Sequence, residues 1–66
     1  MLELTTKIAR LEMLSEQLGI HLQLLPRHSR EAAHTRSRLY RMMQELAELK
    51  SRKQRLEAEL ELREAA

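Results

Sequence analysis

His21, His28 and His34 are the side chains of this 66-residue sequence best suited to proton transfer or metal ligation. Their spacings are seven and six, so none of them stands one helical turn from another at the i,i+4 step that lets two histidines grip one metal. No Cys or Asp is available to complete a ligand set, and all ten carboxylates are Glu. No glycine-rich loop that could cradle a phosphate exists, since the chain has a single glycine, Gly19. A chain this short also lacks the material for a water-excluding pocket of convergent polar groups. These residues read as surface histidines and solvated carboxylates. The expectation is a non-catalytic protein without cofactor or metal.

The arginines form a more organised pattern. Residues 26–41 carry Arg27, Arg30, Arg36, Arg38 and Arg41 against Glu31, a net charge of +4. The flanking stretches are each slightly acidic. Residues 1–25 set Lys7 and Arg10 against Glu3, Glu12 and Glu16, and residues 42–66 set five bases against six acids. The five arginines are a candidate patch for an anionic partner: phosphate, an acidic protein surface or anionic lipid. A basic stretch ahead of leucine heptads resembles the order found in basic-leucine-zipper proteins. That family reads bases with an Asn in its basic helix, and this chain contains no Asn. Nucleic acid is therefore disfavoured as a partner.

These charges must be positioned by helices. Leu4, Leu11, Leu18 and Leu25 recur every seven residues, with Met1, Ile8, Ser15 and Leu22 as a second column. A new pair of columns follows: Ala32, Leu39, Leu46, Lys53 and Leu60 in one, Thr35, Met42, Leu49, Leu56 and Arg63 in the other. Alternating steps of three and four mark helices that bury a narrow seam against other helices. The candidate interface is thus Leu4, Ile8, Leu11, Leu18, Leu22 and Leu25 on the first helix. On the second it is Leu39, Met42, Leu46, Leu49, Lys53, Leu56 and Leu60. Lys53 is the polar exception, a residue type that in a seam lowers stability and fixes register or strand number.

Pro26 separates the two phases. It lacks the N–H that a helix interior needs and biases Leu25 away from helical angles. The spacing predicts helix 1 over about residues 2–25, a turn over about 26–28 and helix 2 over about 29–65, with Ser29 as the cap. The whole of 1–66 is one module. The columns also shift phase at the proline, and a short turn accounts for both features. Short helix–helix connections usually join antiparallel neighbours.

The fold expected is all-α: two helices broken at Pro26 into an antiparallel helical hairpin, the longer second helix forming a coiled coil and the whole dimerising into a helical bundle. Two further apolar stripes support dimerisation: Leu2, Ala9, Met13, Ile20 and Leu24 on helix 1, and Ala33, Tyr40, Met43 and Ala47 on the near half of helix 2. A parallel pair of copies would match Lys7 with Glu12, Glu45 with Lys50 and Arg52 with Glu57, against one repulsive match of Glu59 with Glu64. Within helix 2, Glu48–Arg52, Lys53–Glu57 and Arg55–Glu59 stand at the supporting i,i+4 spacing.

Composition agrees with this reading. The chain is built from strong helix formers, with one Tyr, no Phe and no Trp, so a sheet is not expected. No apolar run approaches the roughly 18 residues of a membrane span. Residues 1–25 do not read as a secretory signal, since Glu3, Glu12 and Glu16 interrupt them and no basic start precedes an apolar block; the acidic residues also argue against an organelle transit peptide, and the lack of Cys fits an intracellular, cytoplasmic setting. The function these features favour is association: a coiled-coil oligomerisation and protein–protein interaction module of a scaffold, adaptor or cytoskeletal-type protein. Dimeric self-association is expected, with a helical protein partner as the other option. The alternatives are a free-standing small helical chaperone or adaptor subunit and, third, a basic dimeric nucleic-acid-binding segment.

Overall fold

The structure, a computed structural model, describes residues 2–65. It consists of α1 (Leu2–Leu24, 23 residues) and α2 (Arg30–Ala65, 36 residues), packed against each other as a hairpin. No strand occurs among the described residues. The molecule measures 56 × 15 × 13 Å. A 36-residue helix is about 54 Å long, so α2 alone sets the length and α1 lies folded back along it.

The connection is tight and local. The amide of Leu25 donates to the carbonyl of Leu22 at 3.2 Å, which closes α1 with a narrower turn. Pro26 follows, where a missing N–H does no harm. Ser29 then starts α2. Its Oγ accepts from the amide of Ala32 at 3.1 Å, which satisfies one of the unpaired first-turn donors. The same hydroxyl donates to the carbonyl of Pro26 at 2.9 Å, and the Ser29 amide reaches that carbonyl at 3.1 Å. Glu31 sits in the first turn, where its negative charge meets the positive end of the helix dipole. No residue in the described chain has a positive φ, so the reversal is made without glycine.

The two helices meet along one stripe. Ile8, Ala32 and Leu49 are buried, and the half-buried positions continue the stripe at steps of three and four: Leu4, Leu11, Ser15, Leu18 and Leu22 on α1, Leu25 just past its end, and Thr35, Leu39, Met42, Leu46 and Lys53 on α2. Two of these positions carry hydroxyls. Ser15 turns its hydroxyl back to the carbonyl of Glu12 at 2.9 Å, which removes the cost of an unsatisfied group beside the seam.

The flanks of this stripe carry ion pairs between the helices. Lys7 lies 4.0 Å from Glu45, and Lys50 lies 3.6 Å from Glu12. These are the four charges that a parallel pair of copies would match as Lys7 with Glu12 and Glu45 with Lys50. Within one chain they are matched across the hairpin instead. All four side chains are more than half exposed, so each pair guides alignment more than it adds stability.

α2 outreaches α1. From Gln54 to Ala65 every residue is exposed, because this part of α2 extends past Leu2, the first residue of α1, and no other described residue covers it. This overhang is about 18 Å of bare helix. It bears Leu56, Leu60 and Leu62, with Glu57, Glu59, Glu61 and Glu64 against Arg55 and Arg63. No helix among the described residues is long and apolar enough to cross a membrane.

Candidate interaction surfaces

The hairpin has four surfaces to consider, one closed between its helices and three left open. The first is the seam itself. Of the thirteen residues expected to form an interface, eleven are buried or half-buried between α1 and α2, while Leu56 and Leu60 stand exposed on the overhang. Lys53 marks the boundary. Its side chain is 32% exposed, and its ammonium lies 3.9 Å from Glu57, the one of the three expected i,i+4 pairs within ion-pair reach among the described residues.

The second surface is the basic end. Arg27, Arg30, Arg36, Arg38 and Arg41 are all exposed around the turn and the first turns of α2. A guanidinium N–H of Arg36 donates to the carbonyl of Arg27 at 3.3 Å, so these two are brought together and help tie the connection to α2. An open groove beside Arg36 and Arg41 is lined by Ala33, Ser37 and Tyr40. His28 and His34 are exposed in the same region and His21 on α1, and no group of three or more metal-ligating side chains gathers among the described residues.

The third surface is the outer face of α1. Leu2 is 80% exposed, Leu24 78%, Met13 61% and Ile20 56%. All lie away from α2. For a chain of 7.8 kDa the accessible area is 5848 Å², against roughly 4,400 Å² for a compact globule of that mass. The difference follows from the 56 × 15 × 13 Å rod shape, which leaves the outer faces of both helices in water.

The fourth surface was only half visible in the apolar pattern. Ala33, Tyr40 and Ala47 belong to a longer line on the outer face of α2, opposite the seam. Taken at alternating steps of four and three from Ala33 to Ala58, it contains alanines, serines, Tyr40, Gln44 and Gln54, all exposed and none charged. Sixteen of the 36 residues of α2 are Lys, Arg or Glu, so such a run is not what scattered charge would leave. Counting apolar residues misses Ser37, Gln44, Ser51 and Gln54. The signal that finds them is the absence of charge. Ala and Ser allow close approach of another helix, and Gln offers an amide that can both donate and accept.

Compared with family models, with curated proteins and with solved structures, this chain finds no match.

Proposed function

We propose that this chain is a non-catalytic association module: a helical hairpin closed by a short antiparallel coiled coil, which presents its outer faces to copies of itself. The coiled-coil reading is supported by the flanking charges. Ile8–Leu11 and Leu46–Leu49 are both three-residue steps of the seam; Lys7 and Glu45 each precede the first residue of such a step, while Glu12 and Lys50 each follow its last. Antiparallel helices bring like flanks together, so these are the pairs such a seam makes.

The observation that carries the association reading is how little the hairpin buries alone. Only Ile8, Ala32 and Leu49 are buried among the described residues, and no large side chain is fully enclosed. Ordering a residue costs about 1–2 kcal/mol of backbone entropy, and small domains without disulfides or metals commonly meet that cost by oligomerising. The outer apolar face of α1 also suits a helical protein partner, as in a scaffold, adaptor or cytoskeletal-type protein. Sedimentation equilibrium of the purified chain, at protein concentrations of tens of micromolar, tests the reading. A dimer or a higher closed oligomer is expected. A folded, helical monomer would overturn it.

A further inference from the structure

We infer that the uncharged outer face of α2 is a docking surface for the same face of a second copy, running antiparallel and centred at the level of Leu49. The inference rests on the self-association just proposed and gives it a face, a direction and a register. The charges that border the line choose all three.

On one border stand Arg36, Lys50 and Glu57, and on the other Arg41, Glu48 and Arg55. In a parallel pair each first-border residue would meet the second-border residue five positions on. That sets Arg36 against Arg41 and Lys50 against Arg55, twice each in a symmetric dimer. Antiparallel pairing centred at Leu49 instead sets Arg36 beside Glu57 of the second copy and Glu48 beside Arg55 of the second copy. Two-fold symmetry repeats both, giving four attractive pairs and no repulsive one on these borders. Sliding one copy by seven residues sets Arg36 against Lys50, Arg41 against Arg55 and Glu48 against its own counterpart. Sliding it seven the other way sets Lys50 and Arg55 each against its counterpart, with Arg36 against Glu64 as the one attractive match.

The line itself fits this register. Tyr40 lies opposite Ala58 of the second copy, Ala47 opposite Ser51 and Gln44 opposite Gln54. The one aromatic ring of the chain thus meets a small residue, two small residues meet each other, and two amides meet as donor and acceptor. Glu48 and Arg55 form no ion pair within the chain among the described residues, so both are available. Glu57 keeps Lys53 on one oxygen and has a second to offer. The same overlap lays the acidic overhang of each copy beside the basic end of the other, where net charge is +4 over residues 26–41. The dimer is a row of four helices, α1 and α2 of one copy followed by α2 and α1 of the other.

The chain has no cysteine, so introduced thiols report position cleanly. Gln44→Cys and Gln54→Cys copies are mixed under mild oxidation after helicity and mass have been checked. A mixed 44–54 disulfide is expected to dominate. Two copies of Gln44→Cys alone should link poorly, because ten residues of helix, about 15 Å, separate their thiols. A charge swap supplies the second arm. Glu48→Arg or Arg55→Glu alone should raise the dimer dissociation constant by about tenfold at low salt, and the two together should restore it. Preferred 44–44 and 54–54 linkage would mean parallel pairing and would overturn the inference. A dimer that neither links at these sites nor responds to the swap would place the contact on another face, overturning this inference while leaving self-association standing. A monomer would remove both.

Discussion

Lys53 is where the residue chemistry and the helical pattern disagree most openly. It occupies a seam position next to the start of α1, with its side chain two-thirds covered and its ammonium led out to Glu57. The alkyl stem covers apolar surface while the charge stays in water. Lys53→Leu should therefore raise the melting temperature by several degrees, because the added apolar burial outweighs a loss of roughly 0.3–0.5 kcal/mol from an i,i+4 pair. Circular dichroism melts of both proteins check this, and an unchanged melting point would take Lys53 out of the seam. Leu49 and Leu62 give the complementary comparison. Leu49 is 7% exposed and Leu62 is 71% exposed. Leu49→Ala should cost about 2–5 kcal/mol and Leu62→Ala about 0.5 or less. Urea unfolding of the two variants measures the difference, and equal losses would contradict the seam.

At the scale of elements, the two helices and their reversal were legible because three local signals agree. The columns change phase at Pro26, proline cannot continue α1, and Ser29 with Glu31 begins a new helix. What the spacing could not decide is whose helix fills the seam. Lys7, Glu12, Glu45 and Lys50 satisfy a parallel pair of copies and an antiparallel hairpin equally well, since both arrangements match each lysine with a glutamate. Only the fold shows the second arrangement, through Lys7–Glu45 and Lys50–Glu12. Gly19 is a similar case. From sequence it reads either as a weak spot or as a place for a close neighbour. A Cβ built there meets nothing within 4 Å, so no neighbour within the chain requires it. Gly19→Ala should then stabilise α1 by about 0.5–1 kcal/mol, seen as a higher denaturant midpoint with unchanged mass. A loss of stability together with a loss of oligomer would show that a second copy approaches the backbone at this position.

For the whole molecule, length and charge are coupled. The rod is basic around its turn, and its overhang carries four glutamates against two arginines, close to the negative end of the α2 dipole. That placement is unfavourable for an isolated helix and favourable beside a basic surface. It follows that folding and association should be linked. If the hairpin is ordered mainly in the oligomer, dissociation feeds unfolding, and the melting temperature depends on protein concentration by mass action. Melts across a hundredfold range of concentration should therefore shift upward by several degrees from the most dilute to the most concentrated sample. Raising the ionic strength from low salt to about 1 M, where the Debye length falls to about 3 Å, should shrink the stabilisation that comes from the charged ends and leave the part that comes from apolar contact. A melting temperature indifferent to concentration would mean that the hairpin stands alone, and that the exposed leucines of α1 and the overhang contribute nothing to its stability.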